Sequence, residues 1–140
     1  MSKSIKKILF LCTGNSCRSQ IAEGFGKKYL SNYNVSSAGT ETHGMNPNTI
    51  KTMNEIGIDI SNQTSKKINF NNLNSYDLII TLCGDAKDKC PVLDTKKHIH
   101  WNIPDPANFR GNKLDTKMKY AEVRELILKK IKLFKQKERI

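Results

Sequence analysis

The longest uninterrupted apolar run in the sequence is only Ile8–Cys12. That is far below the roughly 18 residues of a membrane span and short even for the apolar core of a secretion signal. Neither a membrane anchor nor an export signal is read, and a cytoplasmic location is expected. Internal repeats, low-complexity blocks and Gly/Ser-rich linkers are also missing. The 140 residues suffice for one hydrophobic core and are too few for two ordinary ones, so residues 1–140 are read as a single domain. Acidic side chains are scarce, with 13 Asp and Glu against 24 Lys and Arg and a formal charge of +11. This excess raises the possibility of nucleic-acid binding. The lysines, however, are spread from Lys3 to Lys137 with no recognised binding motif, and no nucleic-acid partner is expected. With 37% hydrophobic and 26% charged residues, the chain lacks the composition of a disordered segment.

What the sequence does hold is thiols. Four cysteines in a chain without an export signal point to catalysis or metal binding before a disulfide framework. Zinc ligation by these cysteines with His43, His98 and His100 is the metal reading. Structural zinc sites favour C-x2-C to C-x4-C knuckles. Here one pair is C-x4-C inside a loop of another kind and the other is C-x6-C, so no metal site is expected.

Apolar patterning alternates between strand and helix. Ile8–Leu11 is a buried strand ending in a turn at Thr13–Ser16. Ile21, Ala22, Phe25 and Tyr29 share one face of a helix running from Arg18 to Leu30. Val35–Ala38 is a second strand. Asn46 caps a helix that opens with Pro47, continues through Ile50, Met53 and Ile56, and stops at Gly57. Residues 61–75 are weak in pattern and read as a surface connection with one short helix. Leu78–Leu82 and His98–Trp101 are the third and fourth strands. Tyr120, Val123, Ile127, Ile131 and Phe134 mark the buried face of a long terminal helix. Strands alternating with helices indicate an α/β fold, a four-stranded parallel sheet with helices on both faces.

The segment Cys12-Thr13-Gly14-Asn15-Ser16-Cys17-Arg18-Ser19 sets a cysteine and an arginine at C-x5-R spacing between a buried strand and a helix start. Backbone N–H groups of such a loop converge on a tetrahedral oxyanion at the positive end of the helix dipole. Gly14 and Asn15 best tolerate left-handed backbone angles, and the planar guanidinium of Arg18 matches two anion oxygens. The same field favours a thiolate, so Cys12 is expected to have a depressed pKa and to act as nucleophile, with Ser16 or Ser19 as hydroxyl donor.

From Ile8 through this loop to Gly24, the chain resembles the thioredoxin-coupled arsenate reductases, which are built on the low-molecular-weight protein tyrosine phosphatase fold. The resemblance continues through Ser37-Ala38-Gly39, Thr42-His43-Gly44, Asn46-Pro47, Asp59-Ile60-Ser61, Thr81-Leu82-Cys83 and Cys90-Pro91 to Asp105-Pro106. It implies a three-layer fold of that type and reduction of arsenate to arsenite for detoxification. Residues 13–19 would bind the oxyanion and Asp105 would be the general acid, its carboxyl kept protonated by the like charge of the bound anion. It further implies a relay in which Cys12-Cys83 and then Cys83-Cys90 disulfides carry the oxidation away, with external thioredoxin as reductant, no bound cofactor and a monomeric enzyme. The alternative is a tyrosine phosphatase using the same Cys12, Arg18 and Asp105. Against it, Ala107-Asn108 follows Asp105-Pro106 where such phosphatases usually carry a tyrosine, and a phosphatase has no use for Cys83 and Cys90.

Were Cys83 to Cys90 helical, seven residues at about 1.5 Å rise would separate them by roughly 10 Å, beyond the roughly 7 Å a disulfide spans. Oxidation must then reshape the segment, and Gly84 with the charged run to Lys89 suits a mobile loop. Some relatives hold potassium with groups matching Asn15, Glu23 and Ser37 plus an aspartate after Thr64-Ser65. Here Lys66 takes that place, so its ammonium is expected to occupy or repel the cation site. Cys17 is read as a small loop residue, His43 as a surface histidine, and His98 and His100 as members of a half-exposed strand.

Overall fold

The computed structural model describes residues 6–84 and 98–137. Its four strands are β1 (Lys6–Cys12), β2 (Tyr33–Gly39), β3 (Leu78–Leu82) and β4 (His98–Trp101), with helices α1 (Arg18–Tyr29), α2 (Pro47–Asn54) and α3 (Lys113–Lys137). All strand pairs are parallel, in the order β2-β1-β3-β4. The chain leaves β1 toward one side to form β2 and returns to the other side as β3. Such a switch in strand order opens a crevice at the carboxyl ends of the central strands, where α/β proteins bind ligands.

From Ile8 onward β1 is apolar without interruption because both its faces are covered there. Ile8 and Phe10 join Ile80, Leu82 and Trp101 against Ile21, Phe25, Met53, Val123, Ile127 and Ile131 of the three α-helices. Leu9 and Leu11 point the other way, with Ala38 and Ile79, onto Ile68, Leu73 and Tyr76. A 3₁₀ turn, Phe70–Ser75, lies in that second layer. The weakly patterned stretch 61–75 is therefore more than a surface connection. Its Ile68 is buried and pairs with the end of β2, its amide donating to the Gly39 carbonyl at 2.7 Å. A single apolar residue between lysine and asparagine leaves no periodicity to read.

Asn46 caps α2 as expected, accepting from the Asn48 amide at 2.8 Å ahead of Pro47. α3 begins seven residues before the Tyr120 at which its buried face was read. Leu114 and Met118 in its first turns are 65% and 61% exposed, so they fall outside the apolar stripe that betrays the rest.

Candidate active site

β1 delivers Cys12 to the crevice and α1 begins at Arg18, so the intervening loop wraps the helix start. Cys17 at the N-cap makes no side-chain cap bond and the first turn of α1 carries no acidic residue. A helix start of this kind keeps its amides and positive dipole end for an anion. The loop bends at Asn15, the one non-glycine residue of positive φ (48°) among the described residues. Gly14 is not left-handed. It is small for another reason, since a Cβ there would collide with the ring of His43. Gly39 is needed similarly, as a Cβ on it would stand 2.5 Å from the Thr13 carbonyl oxygen and 2.8 Å from the Asn15 amide.

A buried polar network fixes this bend. Asn15 is fully buried. Its Oδ1 accepts from Gln20 Nε2 at 2.9 Å and from the Lys66 amide at 2.7 Å, and its Nδ2 donates to Ser19 Oγ at 2.7 Å and Ser37 Oγ at 3.0 Å. Because Ser19 Oγ already accepts from Asn15, its own hydrogen is left for Cys12 Sγ, 2.8 Å away. Ser19 is thus the hydroxyl partner of Cys12, while Ser16 reaches Cys17 at 3.7 Å. Ser37 in turn donates to Glu23 Oε1 at 2.5 Å. Glu23 is itself buried and is matched by Lys27 at 2.5 Å and Lys66 Nζ at 3.7 Å. A carboxylate out of water demands such pairing.

Arg18 is 2% exposed, the largest fully buried side chain described. Its Nη1 donates to the Ile103 carbonyl at 3.0 Å and its Nη2 stands 3.6 Å from Asp105 Oδ2. The loop after β4 thus brings Asp105 to the anion loop, and Asp105 Oδ1 accepts from the Ala107 amide at 3.0 Å to fix its rotamer. Together these segments enclose a cavity of about 150 Å³, below the roughly 300–1,000 Å³ of pockets for drug-sized ligands. Cys12, Thr13, Gly14, Ser16, Cys17 and Arg18 form its floor, and His43, Asp105, Ala107 and Asn108 its rim. Asn15 and Ser19 stand behind the floor and hold it. A larger cavity of about 730 Å³, between α2 and the start of α3, is lined by Lys51, Glu55, Lys117 and Tyr120 and carries no thiol. The smaller one alone of these two is lined by thiols, those of Cys12 and Cys17, together with Arg18 and Asp105.

The remaining cysteines differ. Cys12 and Cys17 are free, and burial pushes the Cys17 thiol above its ordinary pKa. Cys83 is disulfide-bonded and buried just past β3. Leu11 of β1 pairs with Thr81 of β3, so Cys12 and Cys83 end adjacent parallel strands on the same edge of the sheet. Cys90, and the reshaping expected for the segment after Gly84, lie outside the described residues. His98 and His100 both bond the Thr81 hydroxyl, at 2.9 and 2.7 Å, away from the cavity. Among the described residues no three His, Cys, Asp or Glu side chains are placed to hold a metal, and no helix is long and apolar enough to cross a membrane. Lys66 is where the sequence suggested, beside Glu23, with Nζ also donating to the Thr64 carbonyl at 2.6 Å. His43 is exposed, as a surface histidine is expected to be, and it also stands on the rim. Only its contact with Gly14, invisible in one dimension, reveals this.

Known proteins share this architecture. The family described as low molecular weight phosphotyrosine protein phosphatase matches residues 7–139. A protein of Shouchella clausii named arsenate reductase is 56% identical over 138 residues, covering 96% of each chain, and one of Bacillus subtilis with the same name is 52% identical over 133 residues, covering 92% of this chain and 94% of that one. Among solved structures, an arsenate reductase in the oxidized state superposes with a TM-score of 0.77 at 32% identity over 95% of this chain and 98% of that chain. The tyrosine phosphatase Wzb of Escherichia coli K30, solved with sulphate, also gives 0.77 at 20% identity over 96% of this chain and 99% of its own, a likeness of fold alone. With its C-x5-R loop, four-stranded parallel sheet and near full-length matches, the chain belongs to the low molecular weight phosphotyrosine protein phosphatase family, alongside relatives named arsenate reductase.

Proposed function

We propose that the protein reduces arsenate to arsenite, with Cys12 as nucleophile and a thiol relay regenerated by thioredoxin. The arsenate-reductase relatives support the reaction. The observation that carries the relay is that Cys83 is oxidised to a disulfide while Cys12 is a free thiol bonded to Ser19. The last step of the proposed relay would leave this arrangement, with the nucleophile free and Cys83 in a disulfide.

Arsenate binds on the loop amides of residues 13–19 and on Arg18, each hydrogen bond to the anion contributing about 1.5–3 kcal/mol. The Cys12 thiolate attacks arsenic, the As–O bond opposite it breaks, and Asp105 gives its proton to the departing hydroxide, releasing water. The Cys83 thiolate then attacks Cys12 Sγ. The S–As bond breaks, its electron pair reduces As(V) to As(III), and arsenite leaves with a Cys12-Cys83 disulfide behind. Cys90 attacks Cys83, freeing Cys12 as thiolate and forming Cys83-Cys90. A thioredoxin dithiol reduces that bond and is itself oxidised. The enzyme works as a cytoplasmic monomer without a bound metal or cofactor. Lys66 supplies the positive charge beside Glu23 that a cation would otherwise bring.

The second reading, phosphate-monoester hydrolysis, is favoured by the family and by the same Cys12, Arg18 and Asp105, and it is expected as a weak side activity. One assay separates the two. Arsenate-dependent NADPH oxidation with thioredoxin and thioredoxin reductase should proceed with the wild type and stop with Cys83→Ser. Aryl-phosphate hydrolysis should survive that substitution. Normal arsenate turnover by the variant would sink the relay.

A further inference from the structure

His43 is half exposed, yet it is held on three sides. Its amide donates to the Gly14 carbonyl at 2.9 Å, and its ring leaves so little room over Gly14 that no side chain would fit there. Its Nε2 is 2.9 Å from Glu41 Oε1. A carboxylate only accepts, so Nε2 carries hydrogen and Glu41 fixes both ring orientation and tautomer. The other nitrogen, Nδ1, is the ring atom turned to Gly14 of the loop, the first that a Cβ on that residue would meet. The ring lines the same cavity as Cys12 and Arg18. A histidine serving only as solvated surface needs neither the orienting carboxylate nor the glycine beneath it.

We propose that His43, oriented by Glu41, is a substrate-contacting specificity residue. Its Nδ1 meets an oxygen of the bound oxyanion, accepting from a protonated oxygen or, as imidazolium, donating to an ionised one. Its ring walls off the side of the cavity onto which an aryl ester would spread. This deepens the reading of the site as one for a small inorganic oxyanion and rests on it. Elsewhere in the lining, Ala107 and Asn108 offer no ring to stack on an aromatic ester. The rim therefore favours the free anion through His43 and withholds help from the ester.

The test uses the full chain and inorganic phosphate, whose equilibrium binding is read by calorimetry without turnover. His43→Ala should weaken phosphate binding about tenfold and raise the arsenate KM by a similar factor, with kcat within about twofold. The ratio of arsenate to p-nitrophenyl phosphate kcat/KM should fall at least as much. His43→Asn places a polar atom where Nδ1 stands and should recover phosphate binding to within about threefold. Unchanged phosphate binding in His43→Ala would overturn the proposal. So would equal losses in the alanine and asparagine variants, since the ring would then matter only as packing. Should the wild type fail to reduce arsenate while phosphate binding still depends on His43, the arsenate reading falls and the oxyanion contact stands.

Discussion

The floor and the rim of the small cavity are built on opposite terms. On the floor, Arg18 is 2% exposed and Asn15 behind it fully buried; Arg18 is held by the Ile103 carbonyl and Asp105, and Asn15 by Ser19, Gln20, Ser37 and the Lys66 amide. On the rim, the side chains of His43 and Asp105 are 52% and 22% exposed, and Ala107 and Asn108 contribute small groups. A buried polar network is costly to disturb because every loose end is left unsatisfied in a medium of low dielectric. The floor is accordingly fit for the constant part of the proposed reaction, binding a tetrahedral oxyanion beside the Cys12 thiolate. The rim can change with little loss of stability, so it is where a reductase and a phosphatase can part.

The largest expected effect tests the floor. Arg18→Lys keeps the charge but loses the planar fork and orphans the Ile103 carbonyl, now bonded at 3.0 Å. Arsenate reduction and aryl-phosphate hydrolysis should both fall by about 10²–10³, the loss typical of a missing oxyanion donor, with the folded circular dichroism spectrum retained. A selective loss of one activity would break the division between floor and rim.

Sequence and structure agree best where neighbours in the chain are neighbours in space. The floor is one continuous octapeptide, and the strands Leu78–Leu82 and His98–Trp101 are compact apolar or alternating runs, so both are legible. The rim comes from residues 41–43 and 105–108, joined only by folding, and His43 looks like any surface histidine until Gly14 is seen beneath it. The role of Gly14 is likewise not the one its type suggests. Asn15 takes the left-handed turn, and glycine is there for space. Ile68 shows the same limit for the core, since one apolar residue amid polar ones carries no period although it packs in the second core layer with Leu9, Leu11, Ala38 and Ile79.

A smaller effect is expected behind the floor. Lys66 Nζ stands 3.7 Å from Glu23 Oε1, and Ser37 and Asn15 link that carboxylate to Ser19 and Cys12. Arsenate turnover by the wild type should not respond when potassium replaces sodium at fixed ionic strength. Lys66→Asp should make turnover lower in sodium and several-fold higher in potassium. A wild type stimulated several-fold by potassium would show that the ammonium does not fill the cation's place.

The smallest effect separates the two free thiols. Cys17 faces the Tyr120 hydroxyl at 4.0 Å in the wall between loop and α3, and burial raises the pKa of both groups above their ordinary values. In the unfolded chain they ionise near about 8.5 and about 10. Above about pH 8.5 the unfolded state therefore holds fewer protons than the folded one. The contribution of Cys17 is fully present below that pH and is lost as pH rises toward its folded value. Each pH unit over which the folded thiol stays protonated costs about 1.4 kcal/mol, a few degrees in Tm for a chain of this size. Cys17→Ala should thus lose less Tm than the wild type between pH 8 and 10, while the two differ little in slope below pH 8. Parallel Tm curves across the whole range would mean that the thiol ionises as readily in the fold as out of it. Cys17 would then be as open to water as the rim, and the cavity wall would lose its buried side.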